Sequence, residues 1–460
     1  MEAMMDLHEA AQGSGGEARG ANARFAAVSS DTRTIESGAL FVALRGERFD
    51  GHDYLAAARA RGAVAAMVDR KAQVADVDSP LPLVVVEDTR LGLGRLAAYW
   101  RSRFTLPLIA VTGSNGKTTV KEMIACILSE HAGPGRAYAT PGNLNNDIGL
   151  PLTLLGLRAQ HSCAVVELGM NHAGETAYLA AIARPTVALV NNAQREHQEF
   201  MQGVEDVAHE HGAVFAALPA DGVAVINADD AYAGYWRGLC APRRVLDFGV
   251  DRPAAVGGRY ALRDFGSDIV LRVPRGEAQV RLQAAGVHNV RNALAAAAGA
   301  TAAGVGLDAV ARGLAGFQPV QGRLQKRAGK GGAIILDDTY NANPDSVIAA
   351  IDVLARAAGA KLLVLGDMGE VGANGAAFHA EIGRHARARG IDRLFLLGQL
   401  CVHAAAAFGE GAHRYGDIDT LLAALEPCLR EGSTVLVKGS RFMRMERAVQ
   451  ALTGVSAGGH

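Results

Sequence analysis

The chain has 460 residues, 49 % hydrophobic and 20 % charged, with 46 Lys and Arg against 47 Asp and Glu. That length suits roughly two to four domains. The near-neutral balance offers no global basic field, which excludes nucleic acid or a membrane surface as partners held by overall charge. Five scattered cysteines without a C-x-x-C pair argue for a reducing, cytoplasmic setting and against disulfides or structural zinc.

Residues 1–20 read as a flexible N-terminus, with Gln12, Gly13, Ser14, Gly15 and Gly16 as a loose link. No apolar stretch follows a basic start there, so no signal peptide is expected. Residues 21–103 read as a small α/β domain. Strands are expected at 39–44 and 83–86 and a helix at 53–61, with a connecting helix over 91–103. The turn Ser30, Asp31, Thr32, Arg33 and the loop beginning at Arg45 are polar. Residues 104–315 alternate strands and helices as a parallel sheet does. Within them, 247–283 is strand-like and glycine-punctuated, which suggests an antiparallel excursion. The Ala-rich stretch 293–305 is too short to span a bilayer and reads as a buried helix. Residues 316–460 carry a second βα series and read as a Rossmann-like domain.

The most informative stretch is 109–120. The apolar run Ile109, Ala110, Val111 leads into Thr112, Gly113, Ser114, Asn115, Gly116, and Lys117, Thr118, Thr119 then open a helix. Glycines let the backbone approach an anion, and free N–H groups at the helix start point at it. Lys117 would reach the outer phosphates and the Thr118 hydroxyl would sit on Mg²⁺. The spacing departs from the usual phosphate loop, because Val111 stands where its first glycine would be. A nucleoside triphosphate site, with ATP and Mg²⁺, is expected.

Further along, chemistry-bearing residues recur at strand ends, where open α/β sheets place their sites. Glu167 ends an apolar strand and can hold Mg²⁺ beside Thr118. His197 follows the strand near 187–190 and reads either as a metal ligand or as a polar contact to substrate. Asn289 and Asn292 lie three apart on one helix face. Their amides can read an adenine edge, or Asn289 can cap the helix. Arg323, after Gly322, can place a guanidinium on phosphate. Asp338, Asn341, Asn343 and Ser346 lie where a strand runs into a helix. The runs 366–370 and 437–441, the latter with Lys438 and Arg441, sit at further strand-to-loop switches.

Taken together, the phosphate loop, Glu167 on its strand, the run 288–292 and the Gly322–Arg323 pair resemble the Mur ligase family over about residues 26–450. These are ATP-dependent amide-forming enzymes of peptidoglycan precursor assembly. Residues 337–346 with 366–370 resemble the member type that adds D-alanyl-D-alanine to UDP-N-acetylmuramoyl-tripeptide. The resemblance implies three domains: UDP-sugar-binding, ATP-binding and Rossmann-like. It implies catalytic roles for Lys117, Glu167, His197 and Arg323. ATP contacts fall on 113–119, Asn289, Asn292, Arg323 and Asp338, and metal contacts on Thr118, Glu167 and His197. The nucleotide sugar would meet Ser30, Asp31, Thr32, Arg33 and Arg45, and the dipeptide Asn341, Asn343, Lys438 and Arg441. A monomer is expected, hinged near 103–107 and 316–322.

The family often carries a carbamylated lysine about 14 residues beyond the histidine matched by His197. Here His211 stands at that spacing, and it cannot be carbamylated. Two other readings remain. A folylpolyglutamate-type ligase is disfavoured by the roughly 100 residues that precede the phosphate loop. An ATP-driven switch is disfavoured by the acids and arginine at strand ends of two domains.

Overall fold

The computed structural model of the chain describes residues 3–71 and 81–454. Its start departs from expectation. Residues 1 and 2 lie outside the described ones, but from Met5 the supposed flexible segment is built into the fold. Asp6 caps the helix Leu7–Ser14, which buries Leu7, Ala10, Ala11 and Ser14 and packs on the helix Thr89–Arg101. A Cβ at Gly13 would stand 2.6 Å from the Tyr99 ring, and one at Gly16 would stand 2.7 Å from the Val85 carbonyl. These glycines mark close packing rather than a loose link. The strand Glu17–Arg19 then pairs antiparallel with Leu83–Val86. That strand edges a parallel sheet continuing through Ala65–Asp69, Ala39–Val42 and Ala27–Ser29.

The central sheet has six parallel strands in the order Arg244–Phe248, Val223–Asn227, Val187–Val190, Leu108–Thr112, Cys163–Glu167, Ala137–Ala139. Every residue of Leu108–Thr112 and Cys163–Glu167 is buried, as unbroken apolar runs in a doubly covered parallel sheet should be. The earliest strand, Leu108–Thr112, lies between its two later neighbours. The chain therefore departs to both sides of it, and the loops after all three strands converge at its carboxyl end. The antiparallel excursion is the three-stranded sheet Gly257–Leu262, Ser267–Val273, Gly276–Leu282. The Ala-rich segment lies in the helix Val287–Ala302, whose buried face runs from Asn289 to Ala300.

The third domain repeats the logic. Five parallel strands, Ile334–Asp338, Ser433–Lys438, Ala360–Gly366, Arg393–Leu397 and Ala412–Tyr415, are joined at one edge by the antiparallel Gln325–Ala328.

The apolar cores differ at the two domain boundaries. One continuous core joins Leu93, Leu96 and Trp100 of the first domain to Leu150, Leu154 and Ile182 of the central one. The Trp100 indole donates to the Leu157 carbonyl at 3.1 Å, and the buried Arg101 Nε donates to Ala183 at 3.0 Å. A hinge at 103–107 would tear that core, so the expectation of one there is corrected. The third domain has its own two cores, one on each face of its sheet. Among the described residues, only Ala285 of the central domain enters the buried part of either. Polar pairs such as Asn115–Asn343, Arg195–Asp345 and Arg323–Thr118 also join it to the central domain, and 316–322 is the covalent junction between the two.

Candidate active site

The phosphate loop is held by its neighbour strand. After Val187–Val190, Asn191 and Asn192 both donate to the Asn115 carbonyl, at 2.7 and 2.9 Å. The Asn192 side chain also accepts from the Asn115 amide at 2.8 Å. Gly116 has φ 84, and a Cβ there would lie 2.4 Å from Asn292 Oδ1, so only glycine fits. The helix Lys117–Ala132 begins immediately after, and its first-turn amides have no intrahelical acceptor. Ser114, Asn115, Gly116, Lys117, Thr118 and Thr119 all line a cleft of about 530 Å³ between the central and third domains.

Glu167 lies across from the loop. Its Oε1 accepts the Thr118 hydroxyl at 3.1 Å and the Asn145 amide at 2.8 Å. Its Oε2 is buried and has no hydrogen-bond partner among the described residues. A buried carboxylate oxygen left free beside a threonine hydroxyl fits a hard divalent cation. Asn145 rides on a loop anchored by the fully buried Lys121, which donates to the Thr140 and Gly142 carbonyls at 2.9 and 3.3 Å. Sequence reasoning missed both residues. The amide-rich run 143–146 was the available signal for Asn145, whereas Lys121 looked like an ordinary helix residue.

A third missed residue is Glu196. Lys117 Nζ lies 3.2 Å from its Oε2, and His211 Nε2 lies 2.8 Å from its Oε1. Burial alone would raise this carboxyl. The Lys117 ammonium and the His211 contact outweigh it and hold the group well below the usual range. Burial lowers His211 in turn, leaving a neutral ring. Because a carboxylate only accepts, Nε2 carries the proton and Nδ1 accepts from the Thr112 hydroxyl at 2.9 Å. His211 therefore braces Glu196, and the carboxylate beside Lys117 needs no carbon dioxide. Turnover is expected to be the same in degassed and bicarbonate-supplemented buffer. Rescue by bicarbonate after its removal would contradict this.

His197 lies 13 % exposed, with Nδ1 2.7 Å from Glu370 Oε2 and Nε2 3.7 Å from Glu196. Among the acids of 366–370, Asp367 is structural. It accepts the amides of Gln399, Leu400 and Cys401, while Glu370 faces the cleft.

From the third domain, Arg323 Nη2 donates to the Thr118 hydroxyl at 2.8 Å, and its guanidinium lies over the Tyr340 ring at 4.1 Å. Asp338 accepts from the Leu324 amide at 3.1 Å and from Lys438 Nζ at 2.5 Å. Lys438 is 3 % exposed and also donates to the Asn341 carbonyl. Asn343 caps the helix Pro344–Leu354 in a capping box with Ser346, and it donates to Asn115 Oδ1 across the cleft at 3.0 Å. Lys438 and Asn343 are thus already committed within the protein. Arg441 is exposed, near the Tyr340 ring.

Asn289 and Asn292 line the cleft but also hold one another. Asn292 donates to Asn289 Oδ1 at 3.1 Å, and Asn289 donates to the Ala285 carbonyl. Asn289 therefore does not act as the N-cap, which is Gly286. Burial pushes neighbouring His288 down to about 4, against the pull of Asp338. The unfolded chain takes up this proton near 6.5, so the stabilisation is complete above that value and is lost as pH falls toward 4. Urea midpoints should fall more steeply from pH 7 to 4 in the wild type than in His288→Gln. Parallel slopes would remove the residue from this role.

Arg195 closes the cleft. Its guanidinium meets Asp345 at 2.6 Å and Glu381 at 2.7 Å. Arg195→Ala should enlarge the radius of gyration measured by small-angle scattering. An unchanged radius would assign closure to the Asn115–Asn343 and Arg323–Thr118 pairs. The turn Ser30, Asp31, Thr32, Arg33 and Arg45 lie elsewhere, on the first domain, and none of them lines the cleft. Arg33 is fork-paired to Asp31, and Arg45 is paired to Asp69 at 2.7 Å.

A phosphate loop, a strand-end acid with a free oxygen and an arginine arriving from a separate Rossmann-like domain define a three-domain ATP-dependent ligase. The chain belongs to the Mur ligase family. The Mur ligase middle domain matches residues 111–300, the glutamate ligase domain 322–441, and the Mur ligase catalytic domain 24–101. The chain is 42 % identical over 444 residues to UDP-N-acetylmuramoyl-tripeptide–D-alanyl-D-alanine ligase of Escherichia coli K12, covering 95 % of this chain and 96 % of that one. The crystal structure of MurF from Acinetobacter baumannii superposes with a TM-score of 0.91 at 33 % identity, covering 98 % of this chain and all of that one. MurF from Thermotoga maritima in complex with ADP gives 0.80 at 26 % identity, with 92 % and 96 % covered.

Proposed function

We propose that this protein joins D-alanyl-D-alanine to UDP-N-acetylmuramoyl-tripeptide at the expense of ATP, a step of peptidoglycan precursor synthesis. The observation that carries this reading is Arg323 from the third domain on the Thr118 hydroxyl, opposite the free oxygen of Glu167. This occurs in a chain similar over nearly its whole length to ligases of that name.

The tripeptide carboxylate attacks the γ-phosphorus of ATP, the bond to ADP breaks, and an acyl phosphate results. The dipeptide amine then attacks the acyl carbon. The tetrahedral intermediate expels phosphate, and the nitrogen gives up a proton. Little covalent work falls to the protein, so positioning and charge neutralisation dominate. Lys117, kept in place by Glu196, and the amides of the loop hold the outer phosphates. Arg323 closes over them from the third domain. Thr118 and Glu167 would hold Mg²⁺, which when bound supplies charge neutralisation between phosphate and attacking carboxylate, and His197 would be the residue for a second ion. The remaining hydrogen on Asn292 Nδ2 can meet adenine, and Asp338 the ribose. The first domain, through Ser30, Asp31, Thr32, Arg33 and Arg45, takes the nucleotide sugar.

No helix among the described residues is long and apolar enough to cross a membrane. A cytoplasmic setting follows from the ATP and nucleotide-sugar substrates of this reading, and a monomer is the state proposed with it. The alternative is a folylpolyglutamate-type or other amino-acid-adding Mur ligase activity. The decisive experiment is phosphate release from ATP and Mg²⁺ with the nucleotide tripeptide, with and without D-alanyl-D-alanine. Dipeptide-dependent release with a new amide by mass supports the reading. Release with neither dependence nor product would discard it.

A further inference from the structure

Thr118 and Glu167 are tied to the third domain by two separate routes, and both end on Tyr340. The first runs through Arg323. Its Nη2 donates to the Thr118 hydroxyl at 2.8 Å, and its guanidinium lies 4.1 Å from the centre of the Tyr340 ring. That is within the distance at which a ring face attracts a cation. Among the described residues no carboxylate pairs with Arg323, so the ring and the Thr118 hydroxyl are what aim it. Arginine is long and flexible, and a donor stabilises transition-state charge best when it is already in place.

The second route runs through the loop 140–146. The Tyr340 hydroxyl accepts from Asn143 Nδ2 at 3.0 Å. The Asn145 amide donates to the Asn143 carbonyl at 2.8 Å, so a tilt at one residue is felt at the other. The Asn145 side chain in turn donates to Glu167 Oε1 at 2.8 Å. The base of the loop is fixed, because Lys121 holds its Thr140 and Gly142 carbonyls and Thr140 Oγ1 accepts the Glu167 amide at 3.0 Å. Thr118 itself donates to Glu167 at 3.1 Å. The contacts therefore close into a circuit that leaves Thr118 through Arg323, crosses Tyr340 to Asn143 and Asn145, and returns through Glu167. Tyr340 is set in this circuit by its backbone. Its amide donates to the Gly322 carbonyl at 3.1 Å, next to Arg323, so the two residues move together.

We propose that Tyr340 is a positioning residue for phosphoryl transfer: its ring aims Arg323 at the γ-phosphate, and its hydroxyl, through Asn143 and Asn145, keeps the Glu167 carboxylate in line with Thr118. This rests on the ligase reading above. It adds the residue through which the third domain sets both the arginine and the cation-holding pair.

The test uses variants of the full chain. Phosphate release is measured with ATP, nucleotide tripeptide and dipeptide, and Mn²⁺ binding is measured by electron paramagnetic resonance with a non-hydrolysable ATP analogue. Tyr340→Leu should lower kcat about tenfold relative to Tyr340→Phe, the order expected for one lost cation–ring contact. In an Arg323→Met background that difference should disappear, which a general packing defect at Tyr340 would not allow. Tyr340→Phe and Asn143→Ala should each weaken Mn²⁺ binding about tenfold, the lower end of what loss of a supporting hydrogen bond costs in metal affinity. Combining them should weaken it no further, because either change opens the same link. This arm stands even if Tyr340→Leu folds poorly. With wild-type turnover still dipeptide-dependent, equal kcat in the Leu and Phe variants would overturn this inference alone. So would wild-type Mn²⁺ binding in both Tyr340→Phe and Asn143→Ala. A raised KM for ATP or nucleotide tripeptide at unchanged kcat would make Tyr340 a substrate contact instead, and would overturn it too. Wild-type turnover indifferent to the dipeptide would overturn the ligase reading beneath it.

Discussion

Lys117→Met is expected to lower kcat by about 10³-fold, the order seen when one preorganised contact to transition-state charge is removed. The ammonium lies 15 % exposed between the Ser114 carbonyl and Glu196, poised over the helix start where phosphate would lie. The variant should also be less stable, because it leaves the Glu196 carboxylate buried without its cation. Losing one partner of a buried pair costs roughly 3–5 kcal/mol, partly relieved here if His211 takes up a proton. Adding Glu196→Gln should therefore recover much of the thermal stability while leaving activity at the low level. Denaturant melts with phosphate-release assays on both variants check this. Near-normal ligation by Lys117→Met would refute the assignment of the loop.

Glu167→Gln should be nearly as damaging, and differently. The amide keeps the shape and can still accept from Thr118, but its nitrogen replaces one carboxylate oxygen and the charge is lost. The half-saturating Mg²⁺ concentration is expected to rise, and kcat to fall by about 10²-fold or more even at saturating metal. Because Oε2 makes no hydrogen bond among the described residues, the fold should hardly notice the change. Asn145→Ala, which removes the donor that orients Oε1, should give a milder version, with about a 10–100-fold loss of metal affinity. A Glu167→Gln enzyme with unaltered Mg²⁺ dependence would place the ion elsewhere.

The two variants draw on different kinds of legibility. Lys117, Thr118 and Glu167 could be read because each depends on local rules. A glycine turn between apolar strand and helix has few conformations, and an acid that ends a buried strand must face the sheet's carboxyl edge. Arg323 and the antiparallel excursion were legible for similar reasons. Glu196 was not, although it sits one residue before His197. Nothing local says that it turns inward to Lys117 or that His211, fifteen residues on, comes to brace it.

The glycine run near the N-terminus was misjudged because composition cannot distinguish a glycine that frees the chain from one that lets Tyr99 approach. The hinge expected near 103–107 failed for a related reason. Residues 103–107 look like a linker, and only the packing of Trp100 and Leu96 against Leu150 and Leu154 shows the two domains to be one body.

The sequence alone therefore determined the three α/β units, the nucleotide loop, the strand-end acids and the family, since these follow from periodicity, turn chemistry and short-range order. Only the tertiary structure decided which side chains are free to act. It committed Lys438 and Asn343 to internal partners, coupled His211 to Glu196, left one oxygen of Glu167 unsatisfied and set Tyr340 between Arg323 and Asn143. Those outcomes depend on strand order, which brings loops far apart in the chain to the same sheet edge, and on the burial there that leaves each charge in need of a partner.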